Sequence, residues 1–121
     1  MRIEFPINDD RDFAILLLDE NDEVVDLSVY ERIDVVLFYP DTKEMFLKFS
    51  DADGADNELE IVGDEILFTV KRSKSKAARL KDVNYTVRTY RTDTDYEEDK
   101  AAITSEPKYL FEFVENIGND S

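Results

Sequence analysis

Cysteine and histidine are both missing from these 121 residues. Without Cys there is neither a disulfide framework nor a thiolate metal site, and the compartment is left open on that criterion. Without His the chain loses the commonest metal ligand and the commonest general base. Glycine occurs only three times, too rarely for a Gly-rich loop that cradles phosphate. No apolar run approaches membrane-spanning length, and the opening MRIEFPINDD lacks the apolar core of a signal peptide. Synthesis in a cytoplasm without export is the expectation. Positive charge is scarce: 15 Lys and Arg face 30 Asp and Glu, a net charge of −15. Such a surface repels phosphate backbones and anionic lipids, so neither nucleic acid nor membrane is an expected partner.

What remains is the composition of a folded globule. Apolar residues make up 42% and aromatics 12% of the chain, enough for one core in one domain spanning residues 1–121. The charged residues then decorate its surface rather than signal disorder. The stretch from Asp12 to Asp41 organises the rest. Two apolar runs, Phe13–Leu18 and Ile33–Tyr39, flank the acidic turn Asp19-Glu20-Asn21-Asp22 and the phrase Val24-Val25-Asp26-Leu27-Ser28. Apolar runs this short, rich in branched and aromatic side chains, predict buried strands rather than helices. Ile33–Tyr39 is apolar on both faces, which places it centrally.

Shorter alternations fill in the other strands. Ile3, Phe5 and Ile7 read as a half-buried strand whose Pro6 suits an edge. After the hairpin turn Pro40-Asp41-Thr42-Lys43, Met45, Leu47 and Phe49 point inward and Lys48 outward. Leu59 and Ile61 pair with Ile66, Phe68 and Val70 across Gly63-Asp64. Ser73–Lys81 is the one segment with helical character, a short helix at most. Val83, Tyr85, Val87 and Thr89 alternate next, and Tyr109, Phe111 and Phe113 close the pattern. Residues 92–107 read as a long polar connection that orders only against a partner, and residues 117–121 as a fraying tail. The expected fold is all-β, an immunoglobulin-like β-sandwich of about 7–8 antiparallel strands with one short helix near 73–81; a small barrel fits the same pattern.

The order of these phrases resembles a known family. A strand ends in an acidic turn, Val25-Asp26-Leu27-Ser28 follows, then the strand Ile33–Phe38. A hairpin with Ile61 and Ile66-Leu67-Phe68-Thr69-Val70, the phrase Ala78-Arg79-Leu80-Lys81, and Tyr85-Thr86-Val87-Arg88 complete it. Over roughly residues 10–115 this resembles the immunoglobulin-like N-terminal domain of phage baseplate upper proteins and related tail and fibre-attachment proteins. Where that family usually has Gly, this chain has Asn21-Asp22 and Asn84, residues that tolerate the left-handed conformation. The resemblance implies a structural role in a virion, with other virion proteins or further copies as partners and no enzymatic residues. For this chain it implies a free-standing ring, collar, tail or fibre-anchoring component.

Candidate interaction residues form two groups. Lys71, Arg72, Lys74, Lys76, Arg79 and Lys81 place six cations and no anion in eleven residues, a docking patch for an acidic surface or else a solvated run. Asp93, Asp95, Glu97, Glu98 and Asp99 surround Tyr96 on the long connection. They are its natural electrostatic counterpart, because acid–base chemistry by paired carboxylates needs a desolvated cleft that a polar connection does not offer. The acidic loop Asp51–Asp56 fails the EF-hand pattern: its sixth position is Asp56 and its twelfth Val62, where Gly and Glu are required. No metal, cofactor or catalytic residue is expected. Tyr85 suits the tyrosine corner of a sandwich, with its hydroxyl bonded to nearby backbone. Tyr30, Tyr39, Tyr90 and Phe46 belong either to an interface or to the core. The expected function is a non-enzymatic virion adaptor; the alternative is an acidic binding module that mimics nucleic acid.

Overall fold

The structure, a computed structural model, describes residues 3–51, 57–91 and 100–116. Its strands are β1 (Glu4–Pro6), β2 (Arg11–Leu16), β3 (Arg32–Tyr39), β4 (Glu44–Ser50), β5 (Glu60–Val62), β6 (Glu65–Val70), β7 (Asp82–Arg91), β8 (Lys100–Thr104) and β9 (Lys108–Val114). A 3₁₀ turn covers Leu27–Val29 and a single helical turn, α1, covers Arg72–Ser75. The larger sheet runs β1-β9-β7-β3-β4, with β8 also paired to β7, and the smaller runs β2-β6-β5. The chain is an all-β sandwich. In immunoglobulin terms β2-β6-β5 stand as strands B, E and D, and β9-β7-β3-β4 as G, F, C and C′. All pairings between these strands are antiparallel except β1 with β9, which is parallel.

β3 lies between β7 and β4, as its two apolar faces predict. Ile33, Val35, Leu37 and Tyr39 are buried, and so is Val36 on the opposite face. Between the sheets lies a cluster of phenylalanine rings. Phe13 of β2 stacks on Phe111 of β9 at 5.3 Å and on Phe68 of β6 at 5.5 Å. Phe49 of β4 meets Phe68 at 4.8 Å, and Phe5 of β1 lies 5.0 Å from Phe111. The Phe13–Phe111 and Phe49–Phe68 contacts run from one sheet to the other, where an antibody domain has its disulfide and tryptophan.

Three local features differ from the pattern read along the chain. The register of β3 on β4 shifts between Leu37 and Phe38, so Leu37 faces Leu47 while Phe38 faces Met45. Phe46 is the extra residue of this bulge, and an extra residue reverses the alternation beyond it. Phe46 therefore packs on Tyr39 and Phe113, while Met45, expected inside, is 59% exposed. The helix is shorter and earlier than expected: α1 ends at Ser75, and residues 76–81 are not helical. Lys100–Thr104, taken for part of a polar connection, is strand β8 on the edge of β7.

The turns are closed by carboxylates. Asp19 Oδ1 accepts from the Asn21 and Glu23 amides, and Asp22 takes φ +60°, the conformation for which the resembled family uses Gly. Asn84, the other such position, lies inside β7 without a positive φ. Asp26 caps the 3₁₀ turn, accepting from the hydroxyl and amide of Ser28; these bonds hold its carboxyl below the ordinary value. The cap sets Leu27 into the core, where it is buried. Gly63, with φ +61°, takes the first corner of the two-residue β5–β6 turn, as a type II′ hairpin requires.

One carboxylate is itself fully buried. Asp34 lies on the outer face of β3 with its side chain 1% exposed, held by Arg32 at 2.7 Å. The contact is bidentate: Nε donates to Oδ1 and Nη2 to Oδ2, and Arg32 in turn stacks over the Tyr90 ring at 4.3 Å. Burial pushes the Asp34 carboxyl up, but hydrogen bonds from Arg32 and Ser50 outweigh it and hold it below its ordinary value. A depressed carboxylate contributes stability that is complete above its unfolded value of about 3.9 and is lost as pH falls through the lower folded value. Asp34→Asn is expected to cost roughly 1–3 kcal/mol in urea unfolding at pH 7 and to flatten the acid limb of the stability profile. An unchanged midpoint would contradict this.

Candidate interaction surfaces

The basic segment emerges from β6 and returns along the β3–β4 turn, and half of it is engaged inside the chain. The Arg72 amide donates to Asp10 Oδ1, and its Nε donates to Asn8 Oδ1 at 2.9 Å. Arg79 pairs with Glu44 at 3.1 Å, and its amide donates to the buried Tyr39 hydroxyl at 3.2 Å. Lys81 pairs with Asp41 at 2.8 Å, and that bond holds the Asp41 carboxyl below its ordinary value. The segment is therefore a strap across the end of the sandwich. Lys71 and Lys74 line a shallow groove with Leu47, Phe49, Asn57, Glu58 and Thr69, and Lys76 is exposed. Six cations do not form one free patch. The proposed counterpart, Asp93, Asp95, Glu97, Glu98 and Asp99, lies outside the described residues.

Ser75 is a residue that the sequence pattern did not single out. It is fully buried, its hydroxyl donating to the Asp9 carbonyl at 2.7 Å and accepting from the Asp9 amide at 3.0 Å. This pair of hydrogen bonds to one residue's backbone pins α1 against the loop before β2. Of the acidic loop 51–56 only Asp51 is described, and its Oδ1 accepts from the Ile33 amide at 2.7 Å.

Tyr85 is not a tyrosine corner. Among the described residues its hydroxyl has no hydrogen-bond partner, and burial alone pushes the phenol up. The ring instead walls a cleft of about 590 Å³ with Leu16, Leu18, Val25, Val87 and Lys108. The corner fails because Tyr85 stands inside β7, opposite Leu37, rather than before the strand, where a hydroxyl meets free backbone. Tyr39 takes a similar role from the end of β3, through the Arg79 amide. Tyr39 is core, while Tyr30 and Phe46 are partly buried against it; Tyr90 lies beneath Arg32 on the outer face.

The outer face of the larger sheet carries both signs of charge, and that of the smaller sheet is mostly acidic. On the larger sheet, Val36 and Phe38 of β3 lie between Lys48 and Met45 of β4 and Thr86 and Asn84 of β7. Arg88 stands across from the neutralised Asp34. Lys48 and Arg88 are the cations of this half of the face, and Glu112, in register with Glu4 and Asp82, brings three carboxylates to its other half. On the smaller sheet the outward positions are Asp12, Ala14 and Leu16 of β2, Glu65, Leu67 and Thr69 of β6, and Glu60 and Val62 of β5. Leu16 is 45% exposed and Val62 49%, and a groove beside them is lined by Asp12, Glu58 and Glu60. Lys71 stands only at the far end of this face, beside Glu58.

No family model, curated protein or solved structure matches the chain.

Two substitutions separate structural from idle contacts. Tyr85→Phe is expected to change unfolding free energy by less than about 0.5 kcal/mol, where a corner hydroxyl would cost about 1 kcal/mol. Arg79→Ala with Lys81→Ala is expected to lower the unfolding midpoint only slightly, by less as salt is added, because both pairs are solvated. Thermal or urea unfolding reads both.

Proposed function

We propose that the chain is a non-enzymatic structural protein of a bacteriophage particle, an immunoglobulin-like adaptor of the ring, collar, tail or fibre-anchoring kind. It works by protein–protein contacts in a multi-copy assembly. One observation carries the adaptor reading: each sheet leaves apolar side chains in water on its outer face, Met45 on one and Leu16 with Val62 on the other. A monomer with no partner gains nothing from such side chains framed by charge, whereas an interface has an apolar centre and a polar rim. The phage reading rests on the ordered phrases from the acidic turn to Tyr85-Thr86-Val87-Arg88, and the left-handed Asp22 at the position of the family's glycine supports it. The four carboxylates Asp12, Glu58, Glu60 and Glu65 on one face favour the second reading, an acidic binding module that mimics nucleic acid. The cations of the opposite face weigh against that.

Quantitative mass spectrometry of particles purified from the encoding virus tests the proposal. The chain is expected at a fixed copy number that survives high-salt washing. Absence from the particle would overturn the virion assignment. Binding to a nucleic-acid-processing protein in its place would favour the mimic.

A further inference from the structure

We infer that the free edge of β2 receives an extended segment of a partner protein, one in which apolar residues alternate with lysine or arginine. The inference deepens the adaptor reading and rests on it, by naming how the partner is held and what its segment is made of. Hydrogen-bond parity identifies the edge. Val62 and Glu65 flank a two-residue turn, so their amides and carbonyls bond each other. Alternation along β6 turns those of Ile66, Phe68 and Val70 towards Ile15, Phe13 and Arg11. The amides and carbonyls of Ala14 and Leu16 therefore point away from the sheet. Leu18 continues the series: on the β6 side Leu17 accepts from the Val25 amide at 2.9 Å, and Asp19 donates to the Glu23 carbonyl at 2.8 Å. β2 ends the smaller sheet, and among the described residues no strand pairs with this edge.

A bare edge invites pairing with another chain, and the other edges of this sandwich are guarded. β1 has three residues with Pro6 among them, and β5 has three with Glu60 among them. β4 is bulged at Phe46 and carries Lys48, and β8 shifts register on β7. From Ala14 to Leu18 there is no proline, charge or bulge, and Leu16 is 45% exposed. Beside this edge lies the cleft of about 590 Å³, where Val25, Tyr85 and Val87 have no strand over them. A strand added to β2 turns alternate side chains into that cleft, in line with Ile15 and Leu17. Those positions want apolar residues. The charges of the lining select the rest: Asp19, Glu20, Asp22 and Glu106 bring four carboxylates against one ammonium, that of Lys108. Lysine or arginine at the segment's outward positions and ends complements this rim. A second copy fits poorly, because Phe13, Ile15 and Leu17 of its own β2 already face its own core. Its basic run is likewise fastened within the chain at Arg72, Arg79 and Lys81.

Amide hydrogen exchange of the isotope-labelled full chain, read by nuclear magnetic resonance, tests this with a short synthetic peptide that alternates lysine and valine. In the free chain the Ala14, Leu16 and Leu18 amides are expected to exchange fast. Saturating peptide is expected to slow them at least about tenfold. The same peptide with a central proline, and one with glutamate in place of lysine, are expected to protect none of them. Leu16→Pro removes one outward amide and spares the bonds to β6. This variant is expected to fold and to lose the protection at Ala14 and Leu18; should it not fold, Ala14→Pro replaces it. Absence of protection by the lysine peptide overturns the inference, as does equal protection by either control peptide or in the folded proline variant. Slow exchange before any peptide is added also overturns it, and a dependence on protein concentration then shows a second copy on the edge. Particle mass spectrometry decides the adaptor reading separately: a chain found in the particle whose edge takes no peptide keeps that reading and loses this one.

Discussion

Ring-on-ring contact between phenylalanines is the constraint on which the rest of this molecule depends. Phe13 and Phe68 on the smaller sheet meet Phe49 and Phe111 on the larger, and Phe5 and Phe113 extend the cluster along β1 and β9. Aromatic pairs of this kind contribute about 0.5–1.5 kcal/mol each beyond the area they bury. A sandwich without Cys or Trp needs such a clasp, since no covalent bridge limits the unfolded chain. Once the inner faces are committed to each other, alternation sends Val36, Phe38 and Lys48 to one outer face and Leu16, Glu60 and Glu65 to the other. Which charges share a face is a consequence of that register.

The excess of carboxylates also has a local use. Asp19, Asp26 and Asp51 each accept from backbone amides at a turn or strand end, Asp9 accepts from the Asp10 amide, and Asp10 accepts from the Arg72 amide at the start of the strap. Side-chain acceptors of this type close turns without glycine, which helps explain a fold with so few glycines. The acidic composition therefore has two parts. One closes turns within the chain; the other faces outward, with Glu58, Glu60 and Glu65 on the smaller sheet and Glu4, Asp82 and Glu112 on the larger.

Much of the sandwich is legible in the sequence because period-two alternation reports burial directly. Ile33–Tyr39 and Ile66, Phe68 and Val70 lie where their pattern places them, and Pro6 sits on the edge strand that a missing amide permits. The bulge at Phe46 is not legible, since it depends on the partner strand rather than on β4 itself. Nor is β8, whose Lys-Ala-Ala-Ile-Thr has too weak an alternation to stand apart from its polar surroundings. The basic segment is conspicuous in the sequence, but its pairs with Glu44 and Asp41 join residues 35 to 40 positions apart, which no local pattern discloses. The two outer faces become visible only when register tells which residues share a side.

The inter-sheet clasp can be observed directly. With phenylalanine ring protons as the only labelled source, a nuclear Overhauser spectrum is expected to show cross-peaks between Phe13 and Phe111, and between Phe49 and Phe68. These rings lie 5.3 and 4.8 Å apart between centroids yet far apart in sequence. Their presence would establish the sheet-on-sheet register from which both charged faces follow; well-resolved ring signals lacking both cross-peaks would contradict it.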